Sequence, residues 1–362
     1  TVDKPFLIAL IILIVFGFII FSSASLGLLA KDSEKYSSVA FSQTFFGLFL
    51  GTVALIITSR IPYRFWRKYA FYFFGIGLIL TTLVFVPGLG FEHGGAKRWI
   101  LLRGFSFQPA ELLKATFIIY VATWISGIKD KITTVKNGLL PLLAILGIVG
   151  ILLLNQPDTD NYAVMMISGF AMFLAAGGKW RHIFIMISVA VLGLFLIASF
   201  RPYVKARLLT FANPTESSLT SGYQIQQSLI AIGSGGISGR GFGQSIQKFN
   251  FLPEPIGDSI FAVAAEEFGF FGGLGIILLF SYFAIRGMTI AARTEDLFGR
   301  LLVVGIVILV VSQAFINIGA MLGVVPLTGI ALPFVSHGGT ALLITLGLMG
   351  IVLNVSRKGQ KA

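Results

Sequence analysis

Near its beginning the sequence reads PFLIALIILIVFGFIIFSSAS, residues 5–25, a stretch without a single charged side chain. A helix that crosses the hydrocarbon core of a bilayer needs about 20 mostly apolar residues, so this stretch is long enough to span a membrane. Further apolar runs of the same kind follow, separated by polar segments. They predict spans at about 39–58, 69–87, 108–126, 139–154, 161–177, 182–199, 258–285, 301–322 and 336–355.

The composition of the whole chain agrees with this pattern. Of its 362 residues, 56% are hydrophobic and 12% are charged, and the mean hydropathy is +0.91. Soluble domains carry about 25% charged residues, so one water-facing globule could not bury this surplus of apolar side chains. We therefore predict an all-α polytopic membrane protein with about ten transmembrane helices, forming a single domain over residues 1–362.

Charge and cysteine content exclude several kinds of function. The sequence has no cysteine, which rules out a disulfide framework, thiol catalysis and a cysteine-based metal site. The formal net charge of +12 would suit nucleic acid, but the basic residues lie in short segments between apolar runs and form no continuous basic face. We expect no nucleic-acid partner.

The basic residues also predict the orientation in the membrane. With the N-terminus inside, the cytoplasmic segments hold 16 Lys and Arg residues and the short outer segments hold 5. The positive-inside rule then places both termini in the cytoplasm. Two polar segments, about 88–107 and 200–257, are expected on the outer side, and a connection as long as the second usually has a function.

The end of the longer outer segment contains the most suggestive acidic residues, in KFNFLPEPIGDSIFAVAAEEFGFFG, 248–272. Asp258 stands where a polar segment meets an apolar helix, so it is expected to be an N-cap, a general base at the outer membrane surface, or both. Glu266 and Glu267 follow at membrane depth, where ionisable groups face a cavity or a partner. Since adjacent helix positions point about 100° apart, the two are not expected to share one partner; one of them could simply lie near the interface, and Glu266 is favoured for a functional or network role.

The fourth predicted span begins with QPAELLK, 108–114. Pro109 is well tolerated in a first helical turn. Glu111 and Lys114 are three residues apart and therefore share a helix face, where they can form an ion pair. The pair either fixes helix packing or forms a charged cavity wall that receives a polar headgroup.

A basic cluster precedes this span, with Lys97, Arg98 and Arg103 flanking Trp99. An interfacial tryptophan among basic residues is often a membrane anchor. The same cluster could hold a lipid pyrophosphate, for which arginine offers paired donors.

The glycine-rich stretch SGYQIQQSLIAIGSGGISGRGFGQSIQK, 221–248, lies within the long outer segment. It neither follows a strand in a βαβ unit nor ends in a Walker-type G-K-[ST], so no nucleotide site is expected. Its first part, 223–232, is predicted to be a short amphipathic helix that could lie on the bilayer surface. Gln227 on this helix suits sugar hydroxyls, or simply belongs to a solvated polar face. Asp158 and Asp160, before the sixth span, are explained by helix capping.

Six motifs occur in an order that resembles the SEDS family of bacterial membrane proteins, whose members include FtsW and RodA, and the pattern is more similar to FtsW. They are GAKRWI, QPAELLK, NQPD, SGYQIQQSLIAIGSGG, GFGQSIQKFNFLPEPIGDSIFAVAAEEFGFFG and NIGAMLGVVPLTGIALPFVSHGGT. The resemblance implies a peptidoglycan glycosyltransferase that polymerises lipid II at the outer face of the cytoplasmic membrane, in cell division or elongation. It implies that Asp258 is the catalytic residue, that Glu111 and Lys114 line a central cavity, and that the partner is a class B penicillin-binding protein, a transpeptidase.

Five positions depart from the pattern of this family. Gly257 replaces the usual Thr before the acid, Asp160 and Asn161 change PDxGT to PDTDN, and His337 and Thr340 change SYGGS to SHGGT. These changes leave the acid in place and bear on partner choice and substrate details.

The implied reaction assigns roles to the charged residues. The donor sugar of lipid II is α-linked and the glycan is β-1,4-linked, so the acceptor hydroxyl must attack in line while a base removes its proton, a task for Asp258. The departing pyrophosphate needs positive charge, from Lys97, Arg98, Lys114 or Lys248 or from a divalent cation such as Mg²⁺ or Mn²⁺.

Two other functions compete with this one. A lipid II flippase or ion-coupled transporter would suit Glu111, Lys114 and Glu266, although the acidic and glycine-rich motifs concentrate on the outer side and no inverted repeat of broken helices is visible. A non-catalytic scaffold of a cell-wall synthase complex would leave Asp258 only a capping role.

Overall fold

The computed structural model describes residues 2–93, 96–102, 105–212 and 221–358. The first half of this region contains helices α1 (Lys4–Ala24), α2 (Leu26–Lys31), α3 (Ser33–Phe41), a π-helical stretch (Ser42–Leu50), α4 (Gly51–Arg60), α5 (Arg64–Leu83), α6 (Pro109–Ile128), a 3₁₀ turn (Lys129–Thr133), a second π-helical stretch (Val135–Leu139) and α7 (Leu140–Asn155). The second half contains α8 (Thr159–Ala175), α9 (Trp180–Phe200), α10 (Pro202–Ala212), α11 (Ser221–Ser234), α12 (Gln247–Asn250), α13 (Ile260–Ala292), α14 (Leu297–Met321) and α15 (Gly339–Lys358).

Every predicted span coincides with a long helical stretch. Eight stretches within the described ranges are long and apolar enough to cross a membrane; α5 and α8, which has 17 residues, are not among them. The all-α membrane class is therefore confirmed, while the number of ten spans stays a prediction.

The outer segment predicted at 88–107 contains a small antiparallel sheet, the one feature of the described residues that the apolar runs did not predict as helix or loop. Its strands are β1 (Gly90–His93), β2 (Ala96–Leu102) and β3 (Phe105–Phe107), in the order β1-β2-β3. Side chains along β2 alternate between the two faces, with Ile100 buried and Leu101 exposed. This period of two is the signature of a strand with one covered face.

The helices differ greatly in how much of their surface the protein covers. In the most apolar part of each helix, 72% of the residues of α14, 67% of those of α15 and 61% of those of α6 are buried, against 11% in α9. Helices α14, α15 and α6 therefore form the centre of the bundle. The exposed side of α9 carries large apolar side chains such as Leu192 and Phe195, as expected for a surface that faces lipid.

Helix α13 is broken at Gly269, whose φ of 68° and ψ of −163° lie outside the helical region. The glycine-rich segment inserts at the break: the backbone N–H groups of Arg240 and Gly241 donate to the carbonyl oxygens of Glu266 and Glu267. A side chain at Gly239 would collide with the Glu267 carbonyl oxygen, so the insertion requires glycine. The chain thus contains a broken helix, which the sequence analysis did not anticipate.

Candidate active site

Asp258 lies two residues before α13, in a turn whose backbone is held from two sides. The side-chain amide of Asn317 on α14 donates to the carbonyl oxygen of Asp258 at 2.8 Å. The hydroxyl of Ser336 donates to the carbonyl oxygen of Gly257 at 2.7 Å. The N-cap of α13 is Ser259, so the expectation that Asp258 caps this helix is wrong.

The side chain of Asp258 is partly accessible, and its carboxylate accepts no hydrogen bond from any residue that the structure describes. Burial, followed by the negative charges of Glu254 and Asp160, raises the pKa of this carboxyl to about 7, against the lowering effect of Arg207 and Arg98. A carboxyl group with this pKa can accept and release a proton near neutral pH, which is what a general base requires.

Asp160, on the first turn of α8, is paired with Arg207 of α10. One guanidinium nitrogen of Arg207, Nη1, lies 3.0 Å from Oδ1 and 2.9 Å from Oδ2 of Asp160. The backbone N–H of Gly329 donates to the same Oδ2 at 3.0 Å. A methyl group added at Gly329 would lie 3.5 Å from Oδ2 of Asp258 and 3.8 Å from Oδ2 of Asp160, so both carboxylates border this glycine. Capping does not describe Asp160, and that expectation is wrong.

Asp158 is the N-cap of α8, as the sequence predicts. Its carboxylate accepts hydrogen bonds from the side chains of Asn161, at 2.9 Å, and Gln108, at 3.3 Å. Burial raises the pKa of Asp158, and the nearby Arg98 opposes this effect. Arg98 on β2 donates to the carbonyl oxygens of Gln156, at 3.2 Å, and Pro157. The sheet is thereby joined to the turn before α8.

The predicted pair on α6 is present. Nζ of Lys114 lies 2.7 Å from Oε1 of Glu111 and 2.9 Å from Oδ1 of Asn161. The side chain of Lys114 is almost fully buried, while 14% of that of Glu111 is exposed. Because Asn161 also bonds Asp158, a chain of polar contacts runs from α6 to the start of α8.

Glu266 and Glu267 lie in a second polar cluster. Oε1 of Glu267 accepts from Nζ of Lys248 at 2.7 Å and from the hydroxyl of Ser23 at 2.6 Å. Glu266 accepts from the hydroxyl of Ser245 at 2.5 Å, while the N–H of Ser245 reaches Glu267 at 3.3 Å. Both glutamates therefore contact one segment, and the expectation that they do not share a partner is wrong.

The charges of this second cluster are already compensated. Lys248 and both glutamates are buried, and Arg240 lies 3.4 Å from Glu266. The cluster fastens the glycine-rich segment to α13 and, through Ser23, to α1. The predicted contacts of Lys248 and Glu266 with substrate stay predictions.

Three further predicted residues lie apart from these clusters or outside the described residues. Lys97 is exposed on β2, and Gln227 is half-buried on α11. Arg103 lies outside the residues that the structure describes.

Helix α11 extends beyond the predicted 223–232 at both ends. It packs against α13 and α14 and buries Ile225 and Ser228, so it lies against the bundle and not only on a bilayer surface. Nε2 of Gln224 donates to the hydroxyl of Ser259, next to Asp258, at 3.0 Å.

Sequence reasoning missed Arg207, Asn317 and Gly329 as parts of the site. Arg207 counted only as one basic residue of the long outer segment, and Asn317 and Gly329 only as letters of a motif. No local pattern indicates their contacts, because their partners are 13 or more residues away in the chain.

Two further departures from the family pattern, His337 and Thr340, follow Ser336, whose hydroxyl bonds the turn that contains Asp258. Burial lowers the pKa of His337 to about 4, so its ring is neutral at pH 7, and it stacks on Phe21 with ring centres 6.2 Å apart. Its backbone N–H donates to the carbonyl oxygen of Ile256 at 2.8 Å. Thr340 begins α15 together with Gly339.

Within the described ranges, no group of three or more His, Cys, Asp or Glu side chains is arranged to hold a metal. The expectation of Mg²⁺ or Mn²⁺ stays a prediction.

Comparison with known families gives a match over almost the whole chain. Residues 4–361 match the family FtsW/RodA/SpoVE, described as cell cycle protein. The chain belongs to the FtsW/RodA/SpoVE family. With its apolar helices, this membership makes it a multi-pass membrane protein of the bacterial inner membrane.

Relatives within the FtsW/RodA/SpoVE family cover most of the chain. Stage V sporulation protein E of Bacillus subtilis is 39% identical over 308 residues, 85% of this chain and 84% of the relative. A probable peptidoglycan glycosyltransferase FtsW of Geobacter metallireducens is 37% identical over 356 residues, 98% of this chain and 95% of the relative.

Solved structures of the family share this fold. A chain from a peptidoglycan synthase complex, described for the coordination of polymerization and crosslinking, has a TM-score of 0.81 at 27% identity, with 100% of this chain and 99% of that chain covered. The rod shape determining protein RodA of Thermus thermophilus has a TM-score of 0.71 at 26% identity, with the same coverage.

Proposed function

We propose that this protein is a peptidoglycan glycosyltransferase that polymerises lipid II into β-1,4 glycan strands, in cell division or elongation. The observation that carries the proposal is the Asp258 carboxylate, which is unpaired among the described residues, has a pKa of about 7, and lies at the start of a membrane helix. The relatives named probable peptidoglycan glycosyltransferase FtsW support the same activity.

Asp258 acts as the general base in this proposal. The carboxylate accepts the proton of the acceptor sugar's 4-hydroxyl while that oxygen attacks the anomeric carbon of the donor. The bond between this carbon and the pyrophosphate oxygen breaks, the lipid pyrophosphate leaves with the bonding electrons, and the α linkage becomes β. No nucleotide is needed, since the pyrophosphate linkage of the donor stores the energy.

The leaving pyrophosphate is stabilised by basic groups whose charge acts on Asp258. Arg98 and Arg207 both lower the pKa of Asp258, so their positive charge acts at this site, and guanidinium groups bind pyrophosphate oxygens with paired hydrogen bonds. The exposed Lys97 extends the positive charge along β2. Glu111 and Lys114 line the cavity that receives the polar headgroup.

The location and partner of the enzyme complete the proposal. The predicted cytoplasmic segments carry more basic residues than the short outer segments, which favours an orientation with Asp258 on the outer side of the membrane and both termini in the cytoplasm. A class B penicillin-binding protein would crosslink the new glycan, and the similarity to a chain from a peptidoglycan synthase complex supports such a partner.

The activity is tested by incubating the purified protein with lipid II and measuring glycan by electrophoresis. Loss of a general base lowers a rate by about 10²–10⁴-fold, so Asp258→Asn should reduce polymerisation at least a hundredfold. The matched control is Glu295→Gln, which converts an exposed carboxylate in the turn before α14. Normal glycan from Asp258→Asn would refute the role of Asp258.

The same preparation separates the competing functions. Lipid II movement across vesicles without glycan would indicate a flippase. If the purified protein produces neither glycan nor movement, with or without a transpeptidase partner, it is a scaffold.

The orientation is checked in this cysteine-free chain with Glu254→Cys and Glu295→Cys, which place single thiols at two exposed positions. A membrane-impermeant maleimide should label only Glu254→Cys in intact cells, and the reverse result would overturn the orientation.

A further inference from the structure

Arg207 forms an ion pair with Asp160, a carboxylate that has no part in the proposed reaction. Asp160 occupies the position where the family pattern has glycine. Glycine has no side chain and could not pair with Arg207, so this chain has an additional carboxylate beside its candidate catalytic residue.

The pair connects three parts of the structure. Asp160 belongs to α8, Arg207 to α10, and Gly329 to the segment between α14 and α15. The carboxylate of Asp160 receives hydrogen bonds from both other parts, at 2.9–3.0 Å from Arg207 and 3.0 Å from Gly329. Its side chain is 9% exposed, so water competes little for these bonds.

Gly329 brings this pair next to Asp258. A Cβ atom placed on Gly329 would lie 3.5 Å from the carboxylate of Asp258 and 3.8 Å from the carboxylate of Asp160. We propose that Asp160 and Arg207 are positioning residues of this site, whose ion pair holds α10 and the Gly329 segment against Asp258 and balances the charge around its carboxylate. This inference rests on the proposed function of Asp258 as the general base.

The charged groups that face Asp258 make the proposal specific. They are Glu254 in its own turn, Asp160 on α8, Arg207 on α10 and Arg98 on β2; the two acids raise the pKa of Asp258 and the two arginines lower it. With the pair intact, the charges of Asp160 and Arg207 largely cancel. Removal of either one leaves an uncompensated charge beside Asp258, of opposite sign in the two cases.

The test is the pH dependence of kcat/KM for lipid II polymerisation. Asp160→Asn leaves the charge of Arg207 uncompensated, so the pKa of Asp258 falls. The acidic limb of the pH profile, where the rate rises as Asp258 loses its proton, should then move to lower pH by about one unit. Arg207→Gln leaves Asp160 unopposed and should move the limb to higher pH by a similar amount. In the double variant the limb should return to the parental position, even if the rate is lower.

A structural role alone gives a different result. Loosening of α10 would lower the rate in both variants without moving their limbs in opposite directions, and that outcome overturns the proposal. Asp160→Gly restores the residue of the family pattern and covers the case in which Asp160→Asn folds poorly. Its limb should also move to lower pH, and an unmoved limb would overturn the proposal.

Failure of this inference can be told apart from failure of the proposed function. If the parental protein makes no glycan, the proposed activity is wrong, and if Asp258→Asn retains activity, the proposed role of Asp258 as the general base is wrong. If the parent is active and Asp258→Asn is inactive, but the limbs of Asp160→Asn and Arg207→Gln do not separate, only the role of the ion pair is wrong.

Discussion

The polar groups at Asp258 and at Glu267 lie on either side of the start of α13, and the protein surrounds them in opposite ways. Glu267 is buried and accepts hydrogen bonds from Lys248, Ser23 and the backbone of Ser245. Asp258 is fixed through its backbone carbonyl by Asn317, while its carboxylate has no hydrogen-bond partner among the described residues.

This difference separates a structural charge from a reactive one. An ionised group away from water is tolerated when a partner compensates it, and such a group holds its surroundings in place. A carboxyl that is partly desolvated without a partner keeps its proton to higher pH and remains free to exchange it. The sequence motif contains both kinds of acid, and only the contacts tell them apart.

The largest expected effect on stability comes from removing the lysine of the second polar cluster, in which Lys248 pairs with Glu267. Lys248→Met leaves the Glu267 carboxylate buried without its cation, and breaking a buried ion pair costs about 3–5 kcal/mol. Thermal denaturation in detergent should show a large fall in Tm. The double variant Lys248→Met with Glu267→Gln should recover much of it, and a Tm equal to that of the parent in the single variant would contradict a structural role.

Asp258→Asn should change stability in the opposite direction. The folded protein holds a proton on Asp258 up to a pH of about 7, whereas the unfolded chain releases it near 3.8. The contribution of this group to stability is therefore lost as the pH rises from about 4 through 7, by up to about 4 kcal/mol. Asparagine never ionises, so the variant should have the higher Tm at pH 8, and its advantage should shrink as the pH is lowered towards 5.

The control for this prediction is Glu295→Gln, which removes an exposed carboxylate in the turn before α14 and is measured at the same pH values. An Asp258→Asn variant that is less stable than the parent at pH 8 would mean that the carboxylate is a structural group like Glu267. The distinction between a reactive carboxylate at Asp258 and a structural one at Glu267 would then be wrong.

A third effect concerns the break in α13 that brings the glycine-rich segment to the glutamates. Gly269→Ala puts a side chain at a φ of 68°, where strain costs about 1–3 kcal/mol, and its Cβ would in addition collide with the backbone nitrogen of Gly239. In Gly233→Ala, by contrast, the added methyl meets no atom within 4 Å, and alanine in a helix gains up to about 1 kcal/mol. Denaturation of the two variants should therefore shift in opposite directions; equal shifts would show that the break is tolerant of side chains.

Much of the architecture could be predicted from local sequence. Each apolar run became a helix because no water is available in hydrocarbon to bond the backbone, and a helix satisfies its own N–H and C=O groups. Pro109 begins α6, Asp158 caps α8, and Glu111 pairs with Lys114 three residues later. These features depend only on spacing within one helix.

The predictions that failed concern contacts between distant parts of the chain. Glu266 and Glu267 point in different directions on an ideal helix, yet both reach Ser245 because the inserted segment wraps around the break at Gly269. The position of Asp160 before the sixth predicted span indicated a capping residue, but in the folded protein it pairs with Arg207 of α10.

The sequence by itself determined that this is a membrane bundle with an acidic residue at the start of α13, since apolar length and motif order are properties of the chain alone. Only the tertiary structure decided which acids are compensated and which one is left able to exchange a proton. Charge compensation depends on distances of a few ångströms between segments such as α8, α10 and α13, and no periodicity within a single segment encodes those distances.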